Sequence, residues 1–63
     1  MKYKDVIKAI KQGKNVFWAN SNYKIIYDSY CNRYLIHSLS NDNYIGFGDD
    51  EYYLKDCYIK RGL

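Results

Sequence analysis

The side chains best suited to chemistry in this sequence are one histidine, His37, two cysteines, Cys31 and Cys57, and an acidic run, Asp49-Asp50-Glu51. A nucleophile–base pair needs a thiol within hydrogen-bond reach of an imidazole, and nothing in the spacing brings His37 to either cysteine. Lying mid-strand between Ile36 and Ser38, His37 reads as a structural histidine that faces solvent or a neighbouring tyrosine. The acidic run follows Gly46-Phe47-Gly48. Hard carboxylate oxygens suit magnesium or calcium, but the alternating acids of a calcium loop are missing, and the tract reads as a solvated turn. No convincing helix start follows the two glycines, so they do not make a phosphate cradle. Paired carboxylates for glycoside hydrolysis, a Ser/His/Asp arrangement and paired zinc ligands are all missing. The expectation is a binding protein with no catalytic residues, no metal ligands and no cofactor.

What the sequence has in surplus is rings. Nine tyrosines, two phenylalanines and one tryptophan stand among 63 residues. Rings displayed on a sheet can stack on bases, at about 1–3 kcal/mol per base. Trp18, Tyr23, Tyr27, Tyr34, Tyr44, Tyr52, Tyr53 and Tyr58 are the candidates, with Lys24, Arg33 or Arg61 in reach of phosphates. Tyrosine is also a residue of protein interfaces, where it adds rigid area with a polar tip. Core filling is expected of Tyr3, Tyr27 and Tyr34. Ligand or partner contact is expected of Trp18, Arg33, Tyr52, Tyr53 and Tyr58, together with the acidic Asp49, Asp50 and Glu51.

These residues need elements to position them. Tyr3, Val6, Ile7 and Ile10 recur at helical spacing, with Lys4, Lys8 and Lys11 on the other side. Asp5 in the first turn and Lys11 in the last suit the helix dipole. Gly13 supplies the stop, because glycine accepts the left-handed conformation that ends a helix. From Asn15 the period changes to 2. Val16-Phe17-Trp18, Tyr23 to Tyr27, Arg33 to Leu39, Tyr44 to Phe47 and Asp56 to Lys60 read as strands. Ala19–Asn22, Asp28–Asn32 and Asn41–Asn43 read as polar connections, and Tyr52–Lys55 as a loop or a single helical turn. Connections this short make successive strands antiparallel neighbours. The predicted fold is α+β: one domain over residues 1–63, with a short N-terminal amphipathic helix on an antiparallel meander of about four to five strands.

Size adds a constraint. A chain this short buries only about 60% of its unfolded surface and usually needs a supplement. Two cysteines are too few for a disulfide framework and are expected as free, part-buried thiols in a reducing cytoplasm. Several strands are apolar on both sides, Val16 and Trp18 against Phe17, and Ile25 against Ile26. One ten-residue helix covers a single side, so the other is expected to be closed by self-association as a dimer or higher. Ten basic and seven acidic residues give a formal charge of +3. That is mild for a duplex-DNA binder, which neutralises several phosphates from one basic face. The N-terminal segment lacks the apolar run of a signal peptide and no stretch is long enough to span a bilayer, so a cytoplasmic protein without membrane partners is expected.

The opening, Tyr3-Lys4-Asp5-Val6-Ile7-Lys8-Ala9-Ile10-Lys11-Gln12-Gly13-Lys14-Asn15-Val16, resembles the start of many very small bacteriophage accessory proteins, with a short helix, Gly-Lys and then a strand. It is also similar to the opening of the Thoeris anti-defence sponge family, which sequesters cyclic nucleotide-derived signals. The resemblance covers about the first quarter of the chain. Leu54-Lys55-Asp56-Cys57-Tyr58-Ile59 likewise resembles the ends of uncharacterised phage proteins. The resemblance implies an accessory factor in the cytoplasm of an infected bacterial cell. It would inhibit host machinery or defence by stoichiometric capture of a host protein or a small nucleotide. The alternative reading is a single-stranded nucleic-acid binding module that uses its sheet tyrosines.

Overall fold

In the computed structural model, which describes residues 1–61, the chain is α+β as expected. Helix α1 (Tyr3–Lys11) is followed by β1 (Asn15–Trp18), β2 (Asn20–Asp28), β3 (Arg33–Ser38) and β4 (Asn43–Gly46). A short helical turn, α2 (Glu51–Leu54), then leads into β5 (Cys57–Lys60).

Helix α1 ends by the mechanism that its sequence announces. Gly13 sits at φ 80°. Its N–H donates to Ile10 O at 3.0 Å, and the Lys14 N–H reaches back to Ala9 O at 3.0 Å, which completes a Schellman motif. The face turned inward carries Val6 and Ala9, both buried, with Tyr3 and Ile10 packed alongside. Ala9 therefore shares the predicted stripe, and Ile7 lies at its margin.

The five strands are ordered β4-β3-β2-β1-β5, and every neighbouring pair is antiparallel. The first four strands form the predicted meander. The fifth does not join β4. The chain from Phe47 to Asp56 crosses the sheet and lays β5 against the far side of β1, with Asn15 opposite Lys60 and Trp18 opposite Cys57. The crossing segment contributes Phe47 and Leu54 to the core, beside Val16, Ile25, Ile36 and Cys57 of the sheet. One sheet face is thus covered by α1 and the crossover together, not by the helix alone.

β2 begins earlier than the alternation predicts. Between Phe17 and Trp18 the register with β2 shifts, and Ala19 adopts φ 65°. Asn20–Asn22 becomes an arm of β2 in place of a free turn. Asn22 fastens that arm to the end of β3: its Nδ2 donates to Ser38 Oγ at 3.2 Å, and its Oδ1 accepts from the Ser40 N–H at 2.9 Å. Ser38, a buried polar residue, thereby gains its partner.

Candidate functional site

Residues directly opposite one another in an antiparallel sheet share a face. On the face away from α1, the registers bring five side chains into a single row across all five strands. Tyr58 of β5 lies opposite Phe17 of β1, and Phe17 opposite Lys24 of β2. Lys24 lies opposite His37 of β3, and His37 opposite Tyr44 of β4. The row reads ring, ring, ammonium, imidazole, ring.

Its two ends are stacked pairs. His37 and Tyr44 lie nearly parallel with centroids 4.4 Å apart, and Phe17 and Tyr58 are 6.0 Å apart at 30°. Lys60 holds its Nζ 5.8 Å from the Phe17 centroid. Phe17 is therefore shielded to 8% exposure, whereas Tyr44 keeps 53% and Tyr58 36%. Tyr44 and Tyr58 are the rings still presented to solvent. His37 is steadied on its other side by Asp42, 2.6 Å from Nε2. This agrees with a structural histidine beside a tyrosine.

Next to the row lies a second line, Ile26 opposite Leu35 and Leu35 opposite Gly46. The Arg33 guanidinium covers Gly46: a Cβ built there would meet Arg33 Nη2 at 2.7 Å. Gly46 is what lets that cation come so close to the β4 backbone. Ile26, Leu35 and Tyr44, with Tyr27, Asp28 and Ser29 at the rim, enclose an open concavity of about 490 Å³. Among the described residues, Lys24, Arg33 and Lys60 make no ion pair. The two acids nearby are engaged. Asp28 accepts from the Tyr30 N–H at 2.9 Å, and Asp42 pairs with His37.

The residues expected to contact a ligand divide between the two sides of the molecule. Arg33 and Tyr58 stand on this open face. Trp18 points the other way, into the core margin, edge-on to Tyr23 at 5.2 Å and Tyr53 at 5.1 Å. Tyr53 packs there too, with Tyr52 edge-on beyond it at 5.1 Å and largely exposed. Asp49 and Glu51 are exposed on the crossover, and Asp50 caps α2, its Oδ1 accepting from the Tyr52 N–H at 2.9 Å. Of the row, Tyr44 and Tyr58 are among the rings expected as stacking candidates and Lys24 among the expected phosphate contacts. Phe17 and His37 had no place in either set, although the strand alternation and short turns that align them are visible in the sequence.

Two further expectations are corrected. Tyr27, expected to fill the core with Tyr3 and Tyr34, is 45% exposed, because it lies near the end of β2. Its ring meets Tyr34 at 4.9 Å, and its hydroxyl donates to Asn32 Oδ1. Cys31, expected to be part-buried, is exposed, while Cys57 is buried; both are free. A hydrogen bond to Asp28, and that carboxylate's charge, push the Cys31 thiol above its ordinary value. Burial does the same to Cys57.

Among the described residues no three His, Cys, Asp or Glu side chains converge as a metal site would require, and no helix is long and apolar enough to cross a membrane. None of the protein-family models, curated proteins or solved structures compared with this chain matches it, so its site is read from its own geometry.

Proposed function

We propose that the chain is a binding module whose open sheet face takes the unpaired bases of single-stranded nucleic acid. The observation that carries this reading is the transverse row Tyr58–Phe17–Lys24–His37–Tyr44, with cations beside it that make no ion pair among the described residues. Exposed rings offer π-faces to any base, and Lys24, Arg33 and Lys60 offer charge to the backbone. The acidic tract at Asp49-Asp50-Glu51 belongs to the crossover on the opposite face, so it does not oppose a polyanion here.

A second reading, stoichiometric capture of a small nucleotide signal, is supported by the concavity formed by Ile26, Leu35 and Tyr44. In that reading the accessory factor acts as a sponge, and a second copy would close the open face over the bound molecule.

Fluorescence anisotropy with a labelled single-stranded oligonucleotide separates the two. Stacking predicts binding at low salt with a log–log salt slope of about −2 for three phosphate contacts. It also predicts a loss of about 1–3 kcal/mol in Tyr44→Ala and in Tyr58→Ala. Saturable binding of mononucleotides with no oligonucleotide affinity selects capture instead. Absence of both ends the nucleic-acid reading.

A further inference from the structure

The cations of the open face continue past β5. Gly13, Lys14, Asn15, Ile59, Lys60 and Arg61 line an open concavity of about 580 Å³ at the corner where the α1 stop feeds β1 and where β5 ends. Three of these lining residues are cationic and, among the described residues, none is acidic. The C-terminal end of a helix normally turns negative potential on such a corner. Here the carbonyls of Ala9 and Ile10 are occupied by the N–H groups of Lys14 and Gly13, which blunts it.

Lys60 joins this notch to the row of rings. It lines the notch, and its ammonium also lies over Phe17 on the open face. At the β5 edge Lys60 stands opposite Asn15, one of the notch's lining residues. At the opposite edge stand Tyr44, the smaller concavity and Arg33 over Gly46. With strands about 4.8 Å apart, the span from β4 to β5 is about 19 Å, more than one nucleotide covers.

We propose that the Lys14–Lys60–Arg61 notch is a phosphate-binding site for the backbone of a strand that crosses the sheet from β4 to β5. The ligand is then an oligonucleotide laid across the strands, not a lone nucleotide. This assignment rests on the stacking reading above, to which it adds a path and a minimum length.

The test uses the whole chain and oligothymidylates of increasing length, read by anisotropy against salt. The comparison is between wild type and a Lys14→Ser/Arg61→Ser double variant. Lys60 is kept because it touches Phe17. The shortest oligomers should bind both proteins equally, since they reach only the rings. Longer oligomers should bind the variant more weakly, with the magnitude of the salt slope reduced by about 1.4 for two lost contacts. A loss that is the same at every length, or no loss at any length, overturns the notch while leaving the stacking reading in place. A wild-type chain that binds no oligothymidylate of any length brings down the stacking reading and the path with it. Thermal melts of both proteins establish that the exposed substitutions leave the fold unchanged.

Discussion

On the face under α1, Val16, Ile25 and Ile36 are at most 2% exposed, whereas Tyr44 on the opposite face keeps more than half of its surface. The residue types differ less than these figures suggest. Phe17, Ile26 and Leu35 on the open face are as apolar as their neighbours Val16, Ile25 and Ile36 on the covered one. What differs is the cover. One face has a helix and a crossover packed on it; the other has only its own side chains, with Phe17 sheltered by Tyr58 and Lys60. Apolar alternation therefore locates two faces, and the connections decide which of them becomes the core.

Adjacent residues on the two faces make the sharpest contrast. Ile36→Ala, in the covered face, should cost about 2–5 kcal/mol. Leu35→Ala, one residue earlier on the open face, should cost about 1 kcal/mol or less. Urea denaturation checks both. Equal costs would mean that something covers the open face in solution, and stability that rises with protein concentration would identify it as a second copy.

A smaller effect is expected from the crossover, the part of the cover that is not helix α1. Asp50→Ala removes the side-chain acceptor that starts α2, and Leu54, buried in the core, depends on that turn. The expected loss is about 1 kcal/mol in the same denaturation assay. A loss within error would show that Leu54 is held by packing alone.

The smallest effect separates the cysteines. Burial raises the Cys57 thiol above its ordinary value, so the folded state disfavours the thiolate. Below about pH 8.5 both folded and unfolded thiols are protonated and stability is unaffected. As pH rises beyond that, the unfolded chain ionises first and folding weakens, until the folded thiol ionises too. The decline in melting temperature above this pH should therefore be shallower in Cys57→Ala than in wild type. Asp28 raises the exposed Cys31 thiol as well, so Cys31→Ala measures that residue's separate share of the decline. Equal slopes in all three proteins would remove Cys57 as the cause.

Much of this architecture was legible in the residues because the signals are local. The helical stripe and Gly13 announce α1 and its end, and period-2 alternation announces each strand. The misplacements arise where a non-local choice decides. Asn20–Asn22 looks like a turn by composition, but Asn22 spends its amide on Ser38 and Ser40, which are close only after β2 and β3 have paired. Trp18 looks like an interface residue, yet its pairing with Cys57 places it on the core side. Asp50 looks like part of an acidic patch and works as a cap. The candidate site suffers most, because its members come from five strands and no stretch of sequence contains more than a fragment of it. Turn lengths fix the Lys24–His37–Tyr44 part of the row through the meander. Nothing local places Tyr58 beside Phe17.

That last pairing bears on how the chain is made. β1 leaves the ribosome early and can pair with β2 as soon as the meander emerges. Its other edge, from Asn15 to Trp18, waits for its partner β5 until that strand is synthesised. Between the synthesis of β1 and that of β5 the nascent protein therefore carries an open hydrogen-bonding template flanked by Val16 and Phe17, the kind of edge on which another chain can nucleate.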